Sequence, residues 1–337
     1  MKFKFLPLLV LPMIFTGCGG GTSTTATEGG AEFSGTINID GSSTVQPVTS
    51  AMAEEFQELH PRVNVVVRTS GTGGGFKRFT IGETDISNAS RPILSEELAI
   101  AQQNGVEFIE LPICYDGLSV VVSKNNTFVD YLTVEELKKI WEKDSKVQNW
   151  SDIRPEWPNK KIQLFGPGLD SGTFDYFCEA VLHTKKESRM DFQASEDDNF
   201  LVTGVAGSEF ALGYFGYAYY EENKDKLRVV PIDNGNGPIA PSDATIADGT
   251  YQPLSRPLFI YINTKAAERP EVKAFVEFYL SDKAPAIIRE TGYFPLPQNM
   301  YPLVYERFTN KIKGSIFKGT PDVGVKIEDL LKMESGK

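Results

Sequence analysis

The hydrophobic positions of this chain follow two periods, one typical of strands and one typical of helices. Residues 36–40 are predicted to form a strand, and the next apolar residues fall on one helical face: Val48, Met52, Phe56 and Leu59. This helix is predicted to end at His60-Pro61, because the residue before a proline disfavours the helical conformation.

The same succession continues as far as residue 113. Strands are predicted at 63–68, 85–88 and 106–113, and helices from Phe76 and at 95–104. The order β-α-β-α-β predicts an α/β fold with a mainly parallel sheet and helices on both of its faces.

A second set of elements follows. Thr133 and Glu136 have the spacing of a capping box, which predicts the start of a helix. Residues 233–249 are rich in Gly, Pro and Asp and are predicted to form a loop. The other predicted strands lie at 118–123, 161–165, 211–215, 227–232 and 257–262, and the other helices begin at Thr173 or lie at 199–205, 271–280, 285–291 and 300–311.

The amino terminus has the features of a secretory signal. Within residues 1–17, Lys2 and Lys4 precede an apolar run that is too short to span a membrane. Small residues before Cys18 predict a lipoprotein cleavage site with the lipid on Cys18; an ordinary signal peptide with a chance cysteine is the alternative. Residues 18–32 are rich in Gly, Thr and Ser, which is typical of a flexible tether. No later segment approaches about 18 continuous apolar residues, so the rest is expected to be soluble.

Net charge narrows the choice of partner. The formal net charge of −11 becomes −13 when the positive charges of Lys2 and Lys4 are removed with the signal. A nucleic-acid partner would require a basic face, so this class is disfavoured.

Residues 33–337 exceed what one hydrophobic core usually serves, which predicts two lobes. Cys114 and Cys178 could form a disulfide or remain as two free thiols, and the sequence leaves both open.

Three short stretches place hydroxyls and glycines where a strand is predicted to run into a helix. They are GSSTVQP (41–47), SGTGGGFKRF (70–79) and DSGTFDYF (170–177). A helix start leaves four backbone N–H groups unpaired and has a partial positive charge. Glycine lets the backbone approach a ligand, and Ser or Thr adds hydroxyl donors. Three such starts at one point would enclose a small tetrahedral oxyanion.

Each stretch alone has a simpler explanation. Ser and Thr are the commonest helix caps, and a glycine-rich turn can exist without a ligand. The stretch SGTGGGFKRF does not match the known nucleotide-binding patterns, because both the phosphate loop and the dinucleotide fingerprint need glycine where Phe76 stands.

Ser90-Arg91-Pro92 adds a hydroxyl and a candidate counter-charge after the 85–88 strand. The alternative is an arginine at the surface. Catalysis has little support, since His60 and His183 lack metal-ligand spacing and Ser171 is outside a Gly-x-Ser-x-Gly turn. We expect no catalytic residue, no metal and no cofactor.

At this point the chain resembles the phosphate-binding protein of bacterial ABC-type phosphate uptake systems (PstS-like). The resemblance extends from about residue 36 to beyond residue 293. It lies in seven motifs in the same order: GSSTVQP, SGTGGGFKRF, DISNASRPI (85–93), YDGLSVVVSKN (115–125), GPGLDSGTFDYF (166–177), ALGYFGYAYY (211–220) and YQPLSRPLFIYIN (251–263).

The resemblance implies a type II periplasmic-binding-protein fold, in which two α/β lobes joined by two hinge crossings close over one phosphate. Lobe 1 would comprise 33–113 and 254–337, and lobe 2 would comprise 114–253. The crossings are expected near 112–116 and 253–256.

The family's ligand positions can be carried over residue by residue. The resemblance implies that phosphate is bound by one set from the first lobe and one from the second: Ser43, Thr44, Thr72, Ser90 and Arg91, and Asp170, Ser171, Gly172 and Thr173. The best-known form of the family has an aspartate where Ser90 stands and an arginine where Pro167 stands. Arg91 could restore the positive charge and Asp170 the carboxylate.

A lipid-anchored, extracytoplasmic receptor follows from these expectations. It would be a monomer on the cell membrane, in a periplasm or at the cell surface, that captures inorganic phosphate and delivers it to the transmembrane subunits of an ABC permease. The alternatives are a receptor for sulfate or molybdate, a secreted phosphatase or esterase that uses Ser171 or Ser43, and a structural or adhesive surface lipoprotein.

Overall fold

The computed structural model describes residues 33–169, 171–184, 186–195, 197–317 and 327–335. The signal peptide, the tether with Cys18, and Asp170 lie outside the described residues. The predictions on them therefore stay predictions.

Thirteen strands and twelve α-helices are described. The strands are β1 Gly35–Gly41, β2 Val63–Val67, β3 Ile86–Ala89, β4 Phe108–Ser123, β5 Leu132–Thr133, β6 Gln163–Pro167, β7 Gln193–Ser195, β8 Ala211–Gly216, β9 Leu227–Val229, β10 Ile232–Asp233, β11 Pro238–Ile239, β12 Ser255–Asn263 and β13 Phe294–Pro295. The helices are α1 Gln46–Leu59, α2 Thr72–Phe79, α3 Ser95–Gln103, α4 Val134–Trp141, α5 Gly172–Phe177, α6 Asp198–Ala206, α7 Tyr217–Glu222, α8 Asp243–Ala247, α9 Pro270–Tyr279, α10 Ala284–Glu290, α11 Tyr301–Thr309 and α12 Ile327–Ser335.

Most strands join one sheet in the order β2-β1-β3-β12-β4-β8-β6-β7. β1 pairs in parallel with β2 and β3, and β6 pairs in parallel with β7 and β8, as the alternating pattern predicts. The two strands between these groups, β12 and β4, run antiparallel to their neighbours. The sheet therefore has two parallel portions joined by an antiparallel pair.

The antiparallel pair differs from the sequence prediction. Two separate strands were expected at 106–113 and 118–123, and the structure has the single 16-residue strand β4, buried throughout. Its first part pairs with β12 and its second part with β8. β4 and β12 thus lie at both predicted crossings. The exact boundaries of the lobes at these crossings stay a prediction, because the described residues from Phe33 onward cluster as one compact unit.

Several local details also differ. α2 begins at Thr72 rather than at Phe76, after Gly71 with a φ of 76°. The predicted loop 233–249 contains β11 and α8, because the Ser242 hydroxyl accepts a hydrogen bond from the Thr245 backbone and starts the helix. Leu59 is half exposed, so the buried face of α1 ends at Phe56.

Other predictions are confirmed. α4 begins with the expected capping box, in which the Thr133 hydroxyl accepts from Glu136 N and the Glu136 carboxylate accepts from Thr133 N. Cys114 and Cys178 are both buried free thiols, which settles the choice that the sequence left open. Within the described segments, no helix is long and apolar enough to cross a membrane.

Candidate functional site

The first predicted ligand stretch joins β1 to α1 and is held against β3. The backbone N–H of Ser42 donates to the Asn88 carbonyl at 3.0 Å, and Asp40 Oδ1 accepts from Gly41 N at 2.8 Å. α1 begins without a side-chain cap. Thr44 is buried and Ser43 is half buried at this junction.

The second stretch, SGTGGGFKRF, meets the Ser90-Arg91-Pro92 segment, and its Ser70 N donates to the Gly41 carbonyl at the end of β1. Thr72 starts α2, and its hydroxyl lies 3.0 Å from the hydroxyl of Ser90 and accepts from Ser90 N at 3.2 Å. α2 also begins without a side-chain cap. Thr72 follows β2 and Ser90 follows β3, and both strands pair in parallel with β1, so their carboxyl ends place these hydroxyls at one edge of the sheet.

The third stretch, from the other parallel portion of the sheet, approaches the first one. A methyl group placed on Gly172 would lie 3.2 Å from Thr44 Oγ1 and 3.5 Å from Thr44 N. The structure thus brings the starts of α1 and α5 together, as the cage hypothesis requires. Ser171 caps α5 by accepting from Thr173 N at 3.2 Å. This capping does not by itself assign Ser171 to a ligand.

Arg91 is engaged by a neighbouring carboxylate. Its Nη1 and Nη2 donate to the two oxygens of Glu97 at 2.9 and 2.8 Å, and its guanidinium lies over the Phe76 ring. Burial lowers the pKa of Arg91, but hydrogen bonding and the charge of Glu97 outweigh burial and raise it. Arg91 therefore stays charged, and its role as the counter-charge of a ligand stays a prediction.

The sequence analysis missed Arg256, the cation that contacts the β1–α1 junction directly. Arg256 Nη2 donates to Thr44 Oγ1 at 3.0 Å. The side chain is only 12% exposed and lies 3.5 Å from Asp116. The tripeptide Ser-Arg-Pro occurs twice, at 90–92 and 255–257, and this repeat was the available signal.

A cavity of about 270 Å³ lies between the two Ser-Arg-Pro segments. Its lining comes from both parallel portions of the fold and from the pair between them: Ser90, Arg91, Tyr176, Glu179, Ser255 and Arg256. A larger cavity of about 910 Å³ lies among α8, α10 and α11, and its lining includes none of the predicted site residues. We therefore place the candidate site at the smaller cavity and the adjoining Thr44–Gly172 contact.

These features define a class, a two-part α/β binding protein with a polar site where its parts meet. The PBP superfamily domain matches residues 26–283 of the chain. SphX of Synechococcus elongatus is 48% identical over 88% of this chain and 88% of its own length. The phosphate-binding protein PstS of Staphylococcus saprophyticus is 39% identical over 86% of this chain and 88% of its own length.

Solved structures agree. A possible phosphate binding protein from Planctomyces limnophilus has a TM-score of 0.79 and 48% identity, over 82% of this chain and 98% of that one. An ABC-type phosphate transport receptor from Vibrio cholerae has a TM-score of 0.62 and 26% identity, over 77% and 100%. The chain therefore belongs to the PBP superfamily and, within it, to the family of SphX and PstS. The two-lobed type II fold expected from the sequence is confirmed.

Proposed function

We propose that this protein is an extracytoplasmic receptor that captures inorganic phosphate and delivers it to an ABC permease. One observation carries the proposal: the start of α5 touches the start of α1 through Gly172 and Thr44, next to the paired hydroxyls of Thr72 and Ser90. This arrangement would allow neutral donors from both parts of the fold to surround one small anion. The names of PstS and of the Vibrio cholerae receptor support phosphate as the ligand and an ABC permease as the partner.

The cellular setting is part of the same proposal. Cleavage before Cys18 and lipidation of Cys18 would anchor the receptor to the membrane, and residues 18–32 would serve as its tether. The protein would act as a monomer, and capture would need no catalysis. The permease could tell a loaded receptor from an empty one because phosphate bridges the two parts and shifts the population toward the closed form.

One set of measurements distinguishes phosphate capture from the alternative functions. Calorimetry on residues 33–337 with phosphate, sulfate and molybdate should give binding for phosphate at the lowest concentration. Tighter binding of sulfate or molybdate would show that this oxyanion, and not phosphate, is the ligand of the receptor. Turnover of a chromogenic phosphate ester would instead favour the secreted phosphatase, and binding of no anion would favour a structural lipoprotein.

The hydroxyl of Thr44 provides the first mutational test. Thr44→Val keeps the shape of the side chain but removes its hydroxyl, so phosphate affinity should fall about tenfold, as for one lost hydrogen bond to a charged group. The control is Thr203→Val on the exposed face of α6, which should bind like the wild type. Equal affinities of the two variants would remove Thr44 from the site.

Asp170 would be the residue that makes the receptor discriminate against sulfate. Phosphate near neutral pH retains a proton that it can donate to a carboxylate, whereas sulfate has none and would be repelled. Asp170→Asn should therefore narrow the ratio of sulfate to phosphate dissociation constants by about tenfold or more. The measurement is calorimetry with both anions, and an unchanged ratio would refute the assignment.

A further inference from the structure

Arg256 and Asp116 lie directly opposite each other on the two strands that join the parts of the fold. They are register partners in the antiparallel pair β12–β4, and Arg256 Nε lies 3.5 Å from Asp116 Oδ2. Asp116 is only 7% exposed. Two charges so deeply buried are tolerated because each compensates the other.

The same guanidinium contacts both parts of the fold. It donates to Thr44 at the start of α1, and its central carbon lies 3.6 Å from the ring centroid of Tyr176 in α5. Tyr176 is itself fixed, since its hydroxyl donates to the Pro253 carbonyl at 2.7 Å. Arg256 is therefore held in one plane between the two helix starts that meet at Gly172.

Arg256 also keeps donor capacity that these contacts do not use. Its Nε is turned toward Asp116 Oδ2 at 3.5 Å and is therefore not available to a ligand. Its Nη1 has only a loose ion pair, 3.6 Å from Glu179, whose side chain is 60% exposed. Nη1 therefore keeps donor capacity on the side of the cavity, and a planar guanidinium suits the oxygens of a tetrahedral anion. The geometry thus leaves room for one more acceptor.

We infer that Arg256 is the cationic contact of the bound oxyanion and that Asp116 is the positioning residue that holds its guanidinium toward Thr44. This inference rests on the proposed function and deepens it. The charge pair would be supplied by the two joining strands, whereas Pro167 occupies the position where the resemblance led us to look for an arginine. Arg91, which is already paired with Glu97, is then not needed for this role.

The location of the pair explains how an acidic protein can hold an anion. The net charge of −11 gives no general attraction, so the favourable contact must be short-ranged. Burial raises the pKa of the Asp116 carboxyl, while Arg256 and the Gly117 N–H oppose this rise. Because Arg256 and Asp116 are on the joining strands, the cation stays at the junction when the two parts move relative to each other.

The test begins with phosphate calorimetry on the wild-type protein, and absence of binding there would refute the proposed function rather than this inference. With binding established, Arg256→Gln should weaken phosphate about 10- to 100-fold, the loss expected for charged hydrogen bonds. Arg256→Lys keeps the charge but loses the planar fork, so its affinity should be intermediate. If Arg256→Gln does not fold, the lysine variant decides, and affinity equal to the wild type would overturn the inference.

Arg154→Gln is the matched control. Arg154 also makes a two-pronged pair, with Glu136 at 2.8 and 2.9 Å, and lies over the rings of Tyr131 and Trp157. Its loss removes the same charge and similar aromatic contacts, and Arg154 is not among the residues that line the candidate cavity. We expect phosphate affinity within about twofold of the wild type. A loss equal to that of Arg256→Gln would overturn a specific role for Arg256.

A double-mutant cycle tests Asp116. Asp116→Asn alone should weaken phosphate about five- to tenfold, because Arg256 is no longer held toward Thr44. In the Arg256→Gln background the same change should cause no further loss, since no guanidinium remains to be positioned. A merely structural aspartate would weaken binding equally in both backgrounds. That additive result, or unchanged affinity in Asp116→Asn alone, would overturn the positioning role.

Discussion

Gly41→Ala is expected to destabilise the protein by about 3–5 kcal/mol and to abolish phosphate binding. Gly41 ends β1 with a φ of 141°, a conformation that residues with a side chain rarely adopt. A methyl group there would lie 2.1 Å from the Asn88 carbonyl oxygen and 2.9 Å from Asn88 N. Both are backbone atoms of β3, so no side chain can turn aside to make room.

A shift of β1 away from β3 would also move the residues of the candidate site. The Asn88 carbonyl also accepts from Ser42 N, and the Gly41 carbonyl accepts from Ser70 N at 3.2 Å. These bonds fix the β1–α1 junction and the glycine stretch before α2. Moving β1 away from β3 would therefore separate Thr44 from the Thr72–Ser90 pair.

Gly105→Ala is the control, because it introduces backbone strain without a steric clash. Gly105 also has a positive φ, 64°, but nothing lies within 4 Å of a methyl group placed on it. Its replacement should cost only about 1–2 kcal/mol and leave phosphate binding intact. Urea unfolding and calorimetry would measure both effects. Similar destabilisation in the two variants would show that the close approach of β1 and β3 has no energetic weight.

Local sequence patterns predicted the strand-to-helix junctions that form part of the candidate site. A strand that leads into a glycine- or hydroxyl-rich helix start can be recognised within about ten residues, and the stretches 41–47, 70–79 and 170–177 were found in this way. Thr44, Thr72 and Gly172 were singled out within them by the family resemblance. Parallel pairing then places such starts at one edge of the sheet. The start of α5 follows β6, which runs opposite to β1, so it was expected to meet the others only from the second lobe of a hinged clamp. The contact between Gly172 and Thr44 agrees with that expectation.

The joining strands could not be predicted in the same way. Pro112 and the Tyr-Asp-Gly sequence at 115–117 favour a break, and the sequence analysis divided β4 there. The structure instead pairs β4 with β12 through this segment as far as Gly117, with a register shift between Leu258 and Phe259, and continues the strand along β8. Strand continuity was therefore set by the neighbouring strand, which local propensity does not report.

Arg256 was missed for the same reason. Its importance follows from the register that places it opposite Asp116 and from the side chains of Thr44 and Tyr176 around it. The repeated Ser-Arg-Pro tripeptide was the one local signal, and it does not show that the arginine is buried. Only the long-range pairing of the sheet reveals that this charge is buried.

Gly172→Val should reduce phosphate affinity at least 100-fold while leaving the stability of the unliganded protein nearly unchanged. Even a methyl group on Gly172 would lie 3.2 Å from Thr44 Oγ1, and the branched valine side chain needs more space than that gap provides. The two helix starts would be held apart, so their donors could not surround one anion. Gly172→Ala should give a smaller loss of about tenfold, because Thr44 can yield by a few tenths of an ångström.

The control for this series is Gly216→Val. Gly216 also lies at a helix start, before α7, with a φ of −55° that valine tolerates, and its nearest neighbour, a carbon of Tyr219, would be at an ordinary 3.7 Å. This variant should bind phosphate like the wild type. If Gly172→Val kept wild-type affinity, the starts of α1 and α5 would not need to meet around the ligand. If both valine variants lost binding and unfolded at lower urea concentration, the effect of Gly172 would lie in folding rather than in closure. A graded loss of affinity at Gly172 with constant stability is expected only if the contact with Thr44 forms part of the bound state.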